Sequence, residues 1–121
     1  MDALQAFLTA EISVTKEVPI DRLGVSLVIK ALDGEEIEQL SKQASFGNTL
    51  DEHKFSAMAI AKACENLDFN NPELLKKHGV STVEDCVNKA LLAGEIAQLQ
   101  KTIMDISGFK DINKQVLEAK N

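Results

Sequence analysis

The stretch "NNPELLKKHGVSTVEDCVNKALLAGE", residues 70–95, carries more helix punctuation than any other part of the chain. Asn71 can accept a hydrogen bond from the free amides of a helix start, and Pro72 stands at the first helical position, where a missing N–H does no harm. Gly79 supplies a stop after "LLKKH", with Lys76 and Lys77 in the last turn, where the helix dipole favours cations. Ser81 and Glu84 have the spacing of a capping box for the next helix, whose inward stripe is Val83, Cys86, Val87, Ala90 and Leu91. Gly94 marks a further break or bend. Helix, glycine turn and helix within 26 residues set the expectation for the whole chain, which is α-rich with short connections.

Upstream, Thr49 and Glu52 have capping-box spacing ahead of "LDEHKFSAMAIAKACENL". Phe55, Met58, Ala59, Ile60, Ala61, Ala63, Cys64 and Leu67 wrap nearly the whole circumference of that helix, and a helix apolar on all sides is buried. It is therefore expected at the centre. "DGEEIEQLSKQAS" has Asp33 as cap and Glu36 three residues on, with only Ile37, Leu40 and Ala44 facing inward, as on a surface helix. "SFGN" breaks the chain between these two. "VTKEVPIDRLGVSLVIKAL" is rich in Val, Ile and Thr and punctuated by Pro19 and Gly24, which predicts a β-hairpin or short meander with Pro19 on an edge strand. At the N-terminus "DALQAFLTAEI" places Leu4, Phe7, Leu8 and Ile12 on one helical face behind an Asp2 cap. At the other end "EIAQLQKTIMDIS" is stopped by Gly108, and "FKDINKQVLEAKN" predicts a weaker helix on Ile112, Val116 and Leu117. The expected fold class is α+β, predominantly α-helical, in one domain over residues 1–121. A helix and a small hairpin fill 1–32, and about five helices fill 33–121 around the segment 50–67.

The chain has 121 residues, 45% of them hydrophobic, enough for a core without disulfides or metal. All five aromatic residues are Phe, so the core is built mainly from Leu, Ile, Val and Ala. Thirteen basic and nineteen acidic residues give a net charge of −6, which argues against nucleic acid and against an anionic membrane surface as partners. No apolar run approaches the ~20 residues that span a bilayer. The N-terminus carries acids where a secretory signal carries Lys or Arg, so a cytosolic protein is expected. Cys64 and Cys86 stand among helical apolar residues with neither C-x-x-C spacing nor a secreted framework, and reduced core thiols are expected.

Chemistry is sparse. No phosphate-binding glycine loop, dinucleotide fingerprint, zinc-protease motif or nucleophile elbow occurs. "DFNNPELLKKHG" puts Asp68 and Asn70 at alternate positions like a calcium loop, but Pro72 and Glu73 fall where a third ligand and the turn glycine belong. His53 follows Asp51 and Glu52 with no nucleophile attached, and it fits an exposed first-turn histidine better than a proton-transfer group. His78 ends a helix, where its positive character is favourable. The helix–glycine–helix rhythm resembles a helix-turn-helix, yet the second helix sets Asn88 and Lys89 against Glu84 and Asp85, the wrong balance for base edges. No catalytic, cofactor or metal residue is expected, and the chain reads as a non-enzyme.

One apolar surface is wider than a single contact needs. Along "EIAQLQKTIMDISGF", Ile96, Ala97, Leu99, Ile103, Met104 and Ile106 cover about half the helix, and Phe109 and Ile112 extend the arc. Exposed apolar surface of that extent marks a partner site, whereas burial on both sides of the helix would make it core. As a partner-binding set the candidates are Ile96, Leu99, Ile103, Ile106, Phe109 and Ile112.

The order "ENLDFNNPELLKKHGV", "VEDCVNKALLAGE", "DISGF" resembles the XkdN-like phage tail assembly chaperone family. In that family a helix ending in a phrase like P-x-L-x-D-x-E-L-x-x-x-Y-G-V precedes one with E-x-x-x-x-x-L-L-x-x-G-E and then one ending in x-x-x-G-F. "LQAFL", the hairpin and "DGEEIEQL" fall in the same order. His78 stands where an aromatic is common, and the hairpin is shorter and lacks a Trp. The resemblance implies a non-enzymatic chaperone made in the bacterial cytoplasm and absent from the mature virion. Such a protein binds the long tape measure protein, keeps it soluble and helps tail tube subunits gather round it. It also admits weak self-association of the chaperone. A small acidic adaptor or regulator of a phage or host protein is the alternative from the residues alone.

Overall fold

The computed structural model describes residues 2–10 and 14–109. Its six α-helices and small antiparallel hairpins make the fold α+β and predominantly helical. The first helix, α1 (Ala3–Thr9), is capped by Asp2, whose carboxylate accepts from the Gln5 amide at 2.8 Å. It is shorter than the apolar pattern suggests, and Ile12 of that pattern lies outside the described residues. The hairpin follows as β1 (Thr15–Ile20) and β2 (Val25–Lys30), antiparallel with Val18 opposite Leu27 and Pro19 opposite Ser26. Alternation sends Val18, Ile20, Leu27 and Ile29 into the core. Pro19 lies on β1, which among the described residues pairs with β2 alone, as its missing N–H requires.

The other edge of β2 is covered by the segment after the central helix. Glu65 donates its amide to the Val28 carbonyl at 2.8 Å, and Asn66 accepts from the Val28 amide at 2.9 Å through Oδ1. Asn66 Nδ2 donates to the Ser26 carbonyl at 2.9 Å. One asparagine side chain thus continues the ladder in place of a strand, and the hairpin is fastened to the helical part.

Helix α2 (Gly34–Gln43) begins at the expected cap: the Glu36 amide donates to Asp33 at 2.8 Å and the Asp33 amide to Glu36 at 3.2 Å. Leu40 and Ala44 are buried and Ile37 is half-buried, the narrow stripe of a surface helix. The break "SFGN" is itself a miniature hairpin, β3 (Ser45–Phe46) and β4 (Thr49–Leu50). Gly47, at φ 63, takes the first of its two loop positions, where a side chain would be strained. This pairing occupies Thr49, so the predicted Thr49 cap is replaced: Asp51 caps α3 (Glu52–Ala63) by accepting from the Lys54 amide at 3.1 Å.

Helix α3 is the centre, as its all-round apolar sequence requires. Ala57, Ala59, Ile60 and Ala63 are fully buried, and α2, α5 and α6 pack against it. It stops at Ala63, so Cys64 is its C-cap and Leu67, expected inside the helix, lies beyond it and is exposed. Helix α4 (Pro72–His78) has the cap, proline and stop of the sequence. Gly79 is left-handed at φ 66, and the Val80 amide reaches back to the Leu75 carbonyl at 3.1 Å, closing the end. Helix α5 (Val83–Ala90) is capped by Thr82 rather than Ser81, the Asp85 amide donating to Thr82 Oγ1 at 3.3 Å. The break expected at Gly94 occurs earlier, at Leu91 and Leu92, which are extended, and Gly94 falls in the first turn of α6 (Ala93–Met104). Residues Asp105–Phe109 form a wider π-helical turn kinked at Gly108, whose φ is 99. The final helix predicted on Ile112, Val116 and Leu117 lies outside the described residues.

Candidate interaction surface

The arc on α6 does not form an open face. Leu99 and Ile103 are 0% exposed, and Ile96 and Ile106 are half-buried against the same core. The reason is the neighbourhood of α6, which packs against α3 on one side and β1 on another, so half its circumference must be apolar to satisfy both. Phe109 is half-buried at the end of the π turn, and Ile112 lies outside the described residues.

The exposed apolar side chains are elsewhere. On α1 no residue is buried, and Leu4, Phe7 and Leu8 all face solvent, Phe7 at 84% exposure. Phe46, beside the two-residue loop of the β3–β4 hairpin, is 91% exposed. Two of only five aromatic residues therefore project almost free of the fold. Sequence reading singled out neither position as a contact: "LQAFL" has the pattern of an ordinary core-facing helix, and "SFGN" reads as punctuation.

A cleft of about 210 Å³ opens where the turn between β1 and β2 meets α4 and the end of α5. Its floor is Ile20, Leu27, Phe69 and Leu91, all core residues. Its rim includes Leu23 and Val25, each 54% exposed, and Leu67. Arg22, Lys77 and His78 also line it, and no carboxylate does. Arg22 is engaged: its Nε and guanidinium NH2 group donate to Glu95 at 3.1 and 2.8 Å, and the latter also to the Ala90 carbonyl at 3.1 Å. Glu95 accepts in addition from the Leu92 amide at 2.8 Å, so one carboxylate both caps α6 and holds the hairpin turn. The hydrogen bond from Arg22, with that from Leu92, keeps the Glu95 carboxyl below its ordinary range.

The candidates for chemistry are not brought together. His53 is exposed on the first turn of α3 and lines a hollow of about 400 Å³ with Ser56 and Asn88. Among the described residues no hydrogen bond or ion pair joins His53 to a carboxylate or to Ser56. Asp68 accepts from the Asn70 amide at 2.8 Å in a local turn. Among the described residues no group of three His, Cys, Asp or Glu is disposed to hold a metal. Cys86 is fully buried and Cys64 half-buried, and burial pushes both thiols up, away from the reactive thiolate. No helix among the described residues is long and apolar enough to cross a membrane.

Comparison with known proteins agrees with this picture of a helical scaffold. The chain is similar to a crystal structure of the protein YqbN, with a TM-score of 0.72 at 22% identity, covering 91% of this chain and 99% of that one. That likeness shows the fold. No curated protein matches. The family profile of the phage XkdN-like tail assembly chaperones matches residues 4–120. With nearly its whole length matched, the chain belongs to the XkdN-like phage tail assembly chaperone family.

Proposed function

We propose that the protein binds the tape measure protein of a phage or prophage tail, keeps that long helix-prone chain soluble, and helps tail tube subunits assemble around it. The observation that carries this reading is the set of large apolar side chains left exposed: Leu4, Phe7 and Leu8 on α1, and Phe46 beside the small hairpin loop. Contiguous or repeated apolar display on a soluble surface favours an apolar polypeptide partner. The net charge of −6 suits a chaperone that must keep an aggregation-prone client dispersed. The outer parts of Ile96, Ile106 and Phe109 belong to the partner surface, with Leu99 and Ile103 supporting it from beneath. The role is one of binding without turnover, carried out in the cytoplasm of the bacterial host and ended before the virion is complete.

Co-expression with the tape measure protein of the same tail gene cluster tests the proposal. The tape measure protein is expected in the soluble fraction, and bound to this chain, only when both are made together. Equal insolubility with and without this chain would refute it.

A further inference from the structure

We infer that the cleft between the β1–β2 turn and α4 takes an apolar helical segment flanked by Asp or Glu, a client chemistry that rests on the chaperone reading above. Four properties of the cleft point there. First, its floor is continuous with the core, so side chains seated in it gain apolar contact without opening the fold. Second, Leu23, Val25 and Leu67 ring the opening with substantial exposure. Third, the opening adjoins a second hollow of about 300 Å³ that shares Leu67, Leu74 and Lys77, which lengthens it into a groove along α4, the shape that a helix laid on its side requires.

The fourth is charge. The chain as a whole is acidic, with a net charge of −6, yet the cleft lining holds three basic side chains and no carboxylate. Arg22 is spent on Glu95. Lys77 takes part in none of the ion pairs among the described residues, and the His78 ring stands beside it at the end of α4. Glu73 lines the adjoining hollow together with Lys77, whereas the cleft itself holds Lys77 and His78 without a carboxylate, so the preference for acid belongs to the cleft. A basic flank on the incoming helix would meet the Lys77 ammonium, whereas a carboxylate would pair with it while its apolar stripe filled the cleft.

The test uses three fluorescently labelled helical peptides with the same leucine stripe, flanked by Glu, Gln or Lys, titrated with the full chain and followed by anisotropy. The Glu-flanked peptide is expected to bind at least about fivefold tighter than the Lys-flanked one, with Gln between, and added salt should narrow the gap. Lys77→Glu should reverse the order, and Leu23→Asp should weaken all three. Both positions are exposed, and unchanged melting curves confirm that the variants fold. Equal affinity for the three peptides, or binding unaffected by Leu23→Asp, overturns the assignment. A fourth peptide, residues 2–12 of this chain, represents the α1 of a second copy. If it binds as tightly as the Glu-flanked peptide, the occupant is another copy and the inference is wrong. These outcomes are independent of the tape measure solubility test, so either claim can fail alone.

Discussion

Replacing Ile103 by alanine separates a core residue from a client contact. The side chain is 0% exposed on α6, the helix that packs against α3, α5 and β1. Removing its three outer carbons forfeits about 2.5 kcal/mol of transfer free energy, at about 0.8 kcal/mol per buried methylene. The cavity left in a rigid neighbourhood adds roughly 1 kcal/mol or more, for a total of about 3–4 kcal/mol. A domain of this size has about 5–15 kcal/mol in all. At roughly 3–4 °C per kcal/mol, the melting temperature should fall by about 10 °C or more. Thermal and urea unfolding followed by far-ultraviolet circular dichroism reads both quantities. Ile103→Val should cost only about 1 kcal/mol, and client binding by the folded fraction of either variant should persist. A melting temperature within about 2 °C of the parent, together with lost client binding, would refute the packing argument and return the α6 arc to the surface.

Two further perturbations probe the connections between hairpin and helices. Ser107 Oγ accepts from the buried Leu32 amide at 2.9 Å, so Ser107→Ala strands that amide and should cost about 1–2 kcal/mol in urea unfolding. A change within experimental error would show that another group takes over the amide. The Arg22–Glu95 pair fixes a pH dependence. Because the folded Glu95 carboxyl sits below its ordinary value of 4.5, its contribution is fully present above that pH and is lost as pH falls through the depressed value. Glu95→Gln should therefore lower the melting temperature at neutral pH and flatten its decline on acidification, the two curves converging at the acid end. Parallel curves would show that the pair contributes nothing to the acid limb.

What could be read from the sequence follows from how local each signal is. The Asp33 and Asn71 caps, Pro72 and the Gly79 stop are written in a few adjacent residues, and the structure has all of them. The central position of α3 is equally legible, because an all-round apolar helix has only one place to go. Competition between neighbouring acceptors is less legible. Thr49 and Asp51 can each cap a helix, and the choice depended on Thr49 being drawn into β4 opposite Phe46. The width of the apolar arc on α6 was correctly visible, but periodicity does not say how many neighbours a helix has. Packing against α3, α5 and β1 accounts for it. Conversely, α1 carries an ordinary amphipathic pattern, and nothing local reveals that Leu4, Phe7 and Leu8 go unburied. The cleft at Lys77 was invisible because its floor and rim come from four separate segments of the chain.

The most direct test of the central claim compares how much tape measure protein is captured by the tagged parent chain and by a Phe7→Ser, Phe46→Ser double variant at matched expression. Both rings are more than four-fifths exposed, so the variant should melt like the parent. If outward apolar side chains hold the client, capture should drop severalfold at an unchanged melting temperature. Undiminished capture by a folded double variant would contradict the account.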